Sequence, residues 1–345
     1  MRLPVLAICL SAFAGLLAAG PVAAQTAAPV AAPVALRVGV IPVVGAAPIF
    51  VANGEGWLKA AGLTPTFTTF ESGPNMIQAL ASGTIDVYVA GVAPLAVART
   101  KGIDVRVVAA TAIEEMVFVA GPKLAPYFAG GVDKAEAFRQ FKAKEGRSAR
   151  LATQPLGSVP NTTLQYWLWQ VAKTDKANAD VVAMGIDATQ QAMLAGAVDG
   201  ASIREPALTI VQMRNPGITL IATGGEMFPD QPGTVVAVSG AFADKNPAAV
   251  ESLVASVIRA TALLKSDPAR AAIPVEAALG KGITDVATIQ KALTSPAAKF
   301  TADPRAIVAA TKAMQAYQVS IGALDKDVPL DGLFDARYYE KATAQ

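Results

Sequence analysis

The fold is decided by residues 72–94, Ser-Gly-Pro-Asn-Met-Ile-Gln-Ala-Leu-Ala-Ser-Gly-Thr-Ile-Asp-Val-Tyr-Val-Ala-Gly-Val-Ala-Pro. Much of this pattern returns 113 positions later. The matching positions are Gln78-Ala79-Leu80 and Gln191-Ala192-Met193, Gly83 and Gly196, Asp86 and Asp199, Pro42 and Pro155, and 105–109 and 218–222. Aligned blocks without a gap predict two copies of one α/β unit. Chance similarity in a chain rich in Ala and Val is the alternative.

Each copy is predicted to alternate strands with helices. Apolar runs predict strands at 36–41, 65–70, 85–90 and 105–110 in the first copy, and at 150–153, 180–184, 201–203 and 218–222 in the second. An extra strand follows each copy, at 116–120 and 234–239, and residues from 246 onward are helical. The predicted fold class is therefore α/β, with two lobes that each hold a mostly parallel sheet flanked by helices.

The composition is that of a folded chain with room for two ordinary domains. Of its 345 residues, 53% are hydrophobic and 16% are charged, which excludes a disordered chain. The formal net charge is +2 and no run of Lys or Arg occurs, so the sequence offers no nucleic-acid-binding face.

The N-terminus resembles a cleaved export signal. Arg2 precedes an apolar run, and Val22-Ala23-Ala24 provides a small-residue cleavage site, so residues 1–24 are predicted to be removed and 25–35 to form an Ala/Pro linker. The predicted location is the periplasm. The only cysteine is Cys9 in the signal, where Ile8 and the apolar run that follows argue against lipidation.

The absence of histidine restricts the chemistry. The chain has no His, which excludes Ser-His-Asp and Cys-His catalysis. Without a thiol in the processed chain, the usual zinc and copper ligand sets are excluded as well. We predict no cofactor, no metal site and no catalytic residue.

Ligands of open α/β sheets bind beyond the carboxyl ends of the strands, and two such lobes would enclose a ligand between them on a hinge. The loops at these ends centre on 44–46, 72–75, 92–94 and 111–113 in the first copy, and on 156–158, 186–187, 204–206 and 223–225 in the second. Their small residues allow the backbone to approach a ligand, although Gly and Pro also serve in plain turns.

The predicted ligand-binding residues are Val44, Gly45, Ala46, Ser72, Gly73, Asn75, Val92, Ala93, Gly157, Ser158, Arg204 and Glu205. Arg204 could contact an anionic ligand through a charge-assisted hydrogen bond, or belong to an ion pair between the lobes. Glu205 could orient Arg204 or bind an amine, and no second carboxylate at a readable spacing supports it as a catalytic acid.

Several of these loops resemble the nitrate/sulfonate/taurine-type substrate-binding proteins of ABC transporters. The resemblance rests on 45–52, on 73–76 with 79–86, and on 91–94, and it covers roughly 36–265. Glu205-Pro206 is similar to the Glu-Pro of that family, but Arg204 stands where an aromatic residue often precedes it.

The resemblance implies a two-lobed, type II periplasmic binding protein that crosses between its lobes near 113–117 and 233–238. Lobe I would comprise 36–114 and 236–345, with the C-terminal helices packed on it, and lobe II would comprise 115–235. Such a protein would be a monomer that captures a small organic anion such as a sulfonate, taurine or nitrate, and delivers it to an ABC permease in the inner membrane.

Three alternatives remain open from the sequence. The ligand could be neutral or pyrimidine-like, since a related branch handles thiamine-pyrimidine compounds, although the enzymes of that branch use histidine. The chain could instead be a sensory ligand-binding module, or an exported hydrolase with Glu205 as base.

Overall fold

The computed structural model describes residues 33–279 and 284–344. The predicted signal, 1–24, lies outside the described residues, as does most of the predicted linker. The strands are β1 (Val34–Val40), β2 (Leu63–Thr69), β3 (Val87–Gly91), β4 (Val105–Ala110), β5 (Ala112–Ile113), β6 (Val117–Ala120), β7 (Ala149–Thr153), β8 (Ala179–Ala183), β9 (Gly200–Ile203), β10 (Thr219–Ala222), β11 (Thr234–Ser239) and β12 (Lys299–Phe300). Val34 and Ala35, predicted as linker, belong to β1 because they pair with Leu63 and Thr64 of β2.

The α-helices are α1 (Ala47–Gly54), α2 (Trp57–Ala60), α3 (Gly73–Ala81), α4 (Ala93–Thr100), α5 (Lys134–Glu145), α6 (Val159–Tyr166), α7 (Ile186–Leu194), α8 (Ala207–Arg214), α9 (Gly224–Met227), α10 (Gly240–Lys245), α11 (Pro247–Ser266), α12 (Pro268–Leu279), α13 (Val286–Leu293), α14 (Val308–Ser320) and α15 (Arg337–Thr343). Short 3-10 turns occur at Val44–Ala46, Ala125–Gly131, Lys176–Asn178 and Pro304–Ile307, and a π-helical turn at Trp167–Val171 extends α6.

Two five-stranded sheets organise these elements. The first has the order β2-β1-β3-β11-β4 and the second the order β10-β6-β9-β7-β8. In the first sheet β1 is parallel to β2 and β3, and β11 runs antiparallel to β3 and β4. In the second, β7 is parallel to β8 and β9, and β6 runs antiparallel to β9 and β10. The first sheet with its helices is lobe I, the second is lobe II, and the predicted mostly parallel sheets are confirmed.

The repeat is visible in atomic contacts. Helix α7 lies at the same offset from α3 that the sequence shows. The Asp86 carboxylate accepts a hydrogen bond from the backbone N–H of Arg37 at 3.3 Å, and the Asp199 carboxylate accepts one from that of Arg150 at 2.8 Å. Each aspartate therefore ties the start of its third strand to the first strand of its lobe.

The two extra strands are exchanged between the lobes. β6 follows the first copy in the chain but pairs within the second sheet, whereas β11 follows the second copy but pairs within the first. β11 already begins at Thr234, slightly before the boundary proposed at 236. The chain thus passes between the sheets twice, once after β4 and once after β10.

The two crossings are bonded to each other. Thr111 N donates to Thr234 O at 2.9 Å, and Glu114 N donates to Gln231 O at 2.9 Å. The fully buried Gln231 side chain accepts from Met116 N at 2.8 Å and donates to Met116 O at 3.2 Å. The crossings therefore form one paired ribbon between the two sheets.

The C-terminal helices pack mainly on lobe I. Helix α11 contacts α1, α12 and α15, and its Val250, Leu253, Val254 and Val257 join the apolar core of that lobe. By length and composition α11 could cross a membrane, but this burial is that of a core helix. Helix α13 also touches α8, and α14 touches both α4 and α6, so this segment bridges the lobes.

Candidate ligand site between the lobes

The lobes meet where β1 and β3 end in lobe I and β7 and β9 end in lobe II. We call the residues that follow these strands the interlobe seam. Val44 N donates to Glu205 O across the seam at 2.9 Å. Val159 packs so closely against Gly91 that a Cβ atom at Gly91 would lie 2.7 Å from Val159 Cγ2. The predicted loops therefore converge at one contact surface.

A buried ion pair forms the centre of the seam. Arg204 follows β9, and its guanidinium donates to Glu115 Oε1 at 3.0 Å and to Gln154 Oε1 at 3.2 Å. The two charged side chains are only 4% and 2% exposed. Thr234 Oγ1 also donates to Glu115 Oε1, at 2.7 Å. Because removing a charge from water is costly, each of these buried charges is stable only while its partner lies beside it.

Gly45 lies against this pair. A Cβ atom at Gly45 would collide with the Glu115 carboxylate and would lie 2.7 Å from Thr234 Oγ1. The sequence predicts Gly45 as a point where the backbone approaches a ligand, and in this structure the group at that point is a carboxylate of the chain itself.

Several buried polar atoms in and beside the seam have no hydrogen-bond partner within 33–279 and 284–344. They are Ser72 Oγ, Thr111 Oγ1, Glu115 Oε2, Thr153 Oγ1, Ser202 Oγ and Arg204 Nε. Buried polar atoms are normally satisfied, and leaving one unpaired costs about 1–3 kcal/mol. Their concentration here is what a site for a polar ligand requires.

A cavity of about 100 Å³ opens beside Arg204. Its walls include Pro42, Gln154, Asp187, Ser202, Arg204 and Glu205. It thus joins residues from both lobes, including two of the predicted ligand-binding residues. A larger cavity of about 650 Å³ lies in lobe II around Phe128 and Lys134, and no predicted residue lines it.

The Glu205 side chain is directed away from Arg204. Its carboxylate accepts hydrogen bonds from Thr209 N at 3.0 Å and Thr209 Oγ1 at 2.9 Å. Burial raises the pKa of Glu205 above its ordinary value, although the hydrogen bonds from Ser295 and Thr209 oppose this effect. Glu205 therefore contributes its backbone carbonyl to the seam, and its carboxylate belongs to the start of α8.

The other predicted residues of lobe I differ in exposure. Ser72 is 1% exposed and precedes α3, where Gly73 lies under Tyr88: a Cβ atom at Gly73 would be 2.5 Å from the Tyr88 hydroxyl oxygen. Asn75 is exposed on α3. Val44, Ala46, Val92 and Ala93 are buried, and Ala93 packs with Val159 of lobe II.

The predicted residues of lobe II at the start of α6 are engaged in the protein. Ser158 Oγ accepts from Asn161 N at 3.3 Å and so caps the helix. Gly157 has φ +82°, and its carbonyl accepts from Gln318 Nε2 at 3.2 Å. The α6 start is thereby tied to α14 of the C-terminal segment.

Sequence reasoning missed Glu115, Gln154, Ser202 and Thr234 as members of the site. One signal was available for Glu115. It ends the acidic pair Glu114-Glu115 between two apolar strands, where a charge needs a partner. The other three are ordinary polar residues near strand ends, and their roles appear only once the lobes are brought together.

The fold is the one seen in two-lobed periplasmic binding proteins of known structure. The alkanesulfonate-binding protein SsuA from Xanthomonas axonopodis pv. citri, bound to MOPS, matches with a TM-score of 0.70 and 20% identity over 89% of this chain and 100% of that chain. The periplasmic nitrate-binding protein NrtA from Synechocystis PCC 6803 matches with a TM-score of 0.71 and 14% identity over 90% of this chain and 89% of that chain.

Residues 30–278 match the NMT1-like family model, and the chain belongs to that family. The family resemblance predicted from the sequence is confirmed. The chain is also 28% identical over 236 residues to the bicarbonate transport ATP-binding protein CmpC from Synechocystis, a match that covers 66% of this chain. The chain spans about a third of that relative, 34% of its length.

Proposed function

We propose that this chain is the extracytoplasmic solute-binding protein of an ABC importer and that it captures a small organic anion in the interlobe seam by hinge closure. The observation that carries the proposal is the cavity that both lobes line beside Arg204, where Ser202 Oγ and Arg204 Nε are buried without a hydrogen-bond partner in the described residues. Family membership and the binding proteins with the same fold support it.

In this proposal the hinge is the paired ribbon that includes Glu114, Met116 and Gln231. Opening would break direct contacts across the seam, such as the bond from Val44 N to Glu205 O. Closure would remove the ligand from water and let each lobe supply part of its hydrogen bonds, with Arg204 Nε as the charged donor. Lobe separation then controls access to the site.

The proposed setting is the periplasm, reached through the predicted signal, with an ABC permease of the inner membrane as partner and the binding protein as a monomer. The similar proteins support a transport role: SsuA and NrtA are binding proteins, and CmpC is an ATP-binding transport protein.

We propose binding without chemistry. The hydrolase alternative needs a free Glu205 carboxylate, whereas Thr209 donates two hydrogen bonds to it. Turnover of a bound solute that disappears in Glu205→Gln would favour the hydrolase.

Thermal unfolding of the processed chain, 25–345, against alkanesulfonates, taurine, nitrate, carboxylates and aminopyrimidines tests the binding step. A ligand at a hundredfold excess over its Kd should add about 2.7 kcal/mol of stability. Uptake of that ligand should then be lost in a deletion strain and restored by the wild-type chain. A panel without any stabilising solute, or uptake unchanged by the deletion, would refute the proposed function.

The exposed Asn75 provides a matched control to Arg204 in this assay. Because the Asn75 side chain is exposed on α3, Asn75→Ala should bind as the wild type does. Replacing Ser202, whose buried hydroxyl lines the cavity, by Ala should weaken binding without unfolding the chain.

A further inference from the structure

A third segment of the chain joins the two crossings between the sheets. On one side of β5, Ile113 pairs with Pro232 of the second crossing. On the other side β12, which belongs to the C-terminal segment, pairs with β5 in antiparallel register, and Thr301 N donates to Thr111 O at 3.3 Å. The connection between the lobes therefore has three adjacent segments, with β5 in the middle.

The loop that leads into β12 leaves lobe I and returns to it. Leu293, at the end of α13, and Phe300, in β12, both belong to the apolar core of lobe I. Between them, Ala297 is 2% exposed and belongs to an apolar cluster of lobe II that also contains Ile203 and Leu208. We call residues 294–298 the clasp loop, because both of its ends are anchored in lobe I and its centre is buried in lobe II.

Polar contacts hold the clasp loop in the same place. Ser295 Oγ accepts a hydrogen bond from Ala297 N at 3.2 Å, which fixes the turn that presents Ala297. The Ser295 hydroxyl also donates to the Glu205 carboxylate at the start of α8, and α13 touches α8 as well. The clasp loop thus binds lobe II through a buried apolar side chain and a hydrogen bond to a charged group.

We propose that the clasp loop restrains the lobes in their closed arrangement and must leave lobe II before they can separate fully. This proposal rests on the proposed function, since it concerns the same hinge movement. Release would expose Ala297 and remove a donor from the buried Glu205 carboxylate, and both changes oppose it. The clasp loop lies outside the cavity beside Arg204, so the lobe separation of the solute-free protein is controlled partly by residues that do not touch a solute there.

The distance between the outer edges of the two sheets measures this separation. Strands β2 and β8 lie at the opposite ends of their sheets from β4 and β10, which lead into the crossings, and Thr66 and Ala183 are exposed on them. Cys9 lies in the predicted signal, so Thr66→Cys with Ala183→Cys can be spin-labelled selectively in the processed chain. After refolding from urea to remove bound solute, pulsed electron paramagnetic resonance gives the distribution of distances.

Ala297→Asp places a charge in the apolar cluster of lobe II as long as the clasp loop is docked. It should raise the population at long distances about tenfold or more, because a buried charge without a partner is strongly unfavourable. Thr294→Asp is the matched control, since it adds the same charge at an exposed position of the same loop and should keep the wild-type distribution. Ser295→Ala removes the hydroxyl that binds Glu205 and should give a smaller shift in the same direction.

A folded Ala297→Asp variant with the wild-type distribution would overturn the restraint, as would an equal shift in Thr294→Asp or a solute-free wild type already at the long distance. If circular dichroism shows that Ala297→Asp does not fold, Ser295→Ala provides the test, and an unchanged distribution there overturns the proposal. Solute binding and uptake test the proposed function separately, because their failure would not alter these distances. Normal uptake with unchanged distances in both variants would refute the clasp loop alone.

Discussion

Replacing Arg204 by Met should destabilise the protein far more than replacing an exposed arginine. The substitution leaves the Glu115 carboxylate, 2% exposed, without its counter-ion. Breaking a buried pair in this way costs about 3–5 kcal/mol. Because much of that cost is the stranded charge, the double variant Arg204→Met with Glu115→Gln should be no less stable than Arg204→Met alone.

Urea unfolding of the processed chain, followed by circular dichroism, gives the free energies for this double-mutant cycle. Arg139→Met is the matched control, since Arg139 pairs with Glu136 on the surface of α5 with 65% of its side chain exposed. An exposed pair contributes about 0–1 kcal/mol. The reasoning is refuted if Arg204→Met costs no more than the control, or if the two substitutions at the seam are simply additive.

Three further predictions follow from single positions. Gly45→Ala should lower the melting temperature and weaken ligand binding, because its Cβ atom would collide with the Glu115 carboxylate, and an unchanged melting temperature would contradict this close contact. Gln231→Ala should speed hydrogen exchange at Met116 and Glu114 by removing the buried amide that joins the crossings, and unchanged exchange would count against a paired hinge. Burial opposes ionisation of Asp199, but hydrogen bonds from Arg147 and the Arg150 backbone outweigh this effect and lower the pKa of Asp199. The ionised Asp199 therefore stabilises the folded protein above the unfolded pKa of about 3.9, and this stabilisation is lost as pH falls through the lower pKa of the folded state. Acid unfolding of Asp199→Asn should therefore be less steep than that of the wild type, and a parallel curve would contradict the assignment.

The elements of the fold were predictable from the sequence because their signals are local. Pro at 247 and 268 marks helix starts, and the structure begins α11 and α12 at those residues. The 113-residue offset predicted that Asp86 and Asp199 are equivalent, and both carboxylates make the same backbone bond. What no local signal showed is that each extra strand pairs in the other lobe's sheet, since that depends on contacts between distant segments.

The site was predicted less completely, for a physical reason. A serine before a helix has the same sequence signature whether it binds a ligand or caps the helix, and Ser158 caps α6 in this structure. Arg204 was predicted at the cleft and lies in the interlobe seam, where its partner Glu115 comes from 89 residues away in the chain. The ends of the strands therefore predict where a binding region lies. Which charged residues pair within that region depends on contacts between distant segments of the chain.

The exchange of β6 and β11 also determines the order in which the halves can be completed during synthesis. In the first sheet β11 lies between β3 and β4, and the ribosome adds it only after the whole second copy has been made. In a nascent chain that ends before Ser239, β3 and β4 therefore lack the strand that pairs with both of them. Unpaired strand edges of this kind promote aggregation. The half of the molecule that is made first is thus the half that finishes folding last.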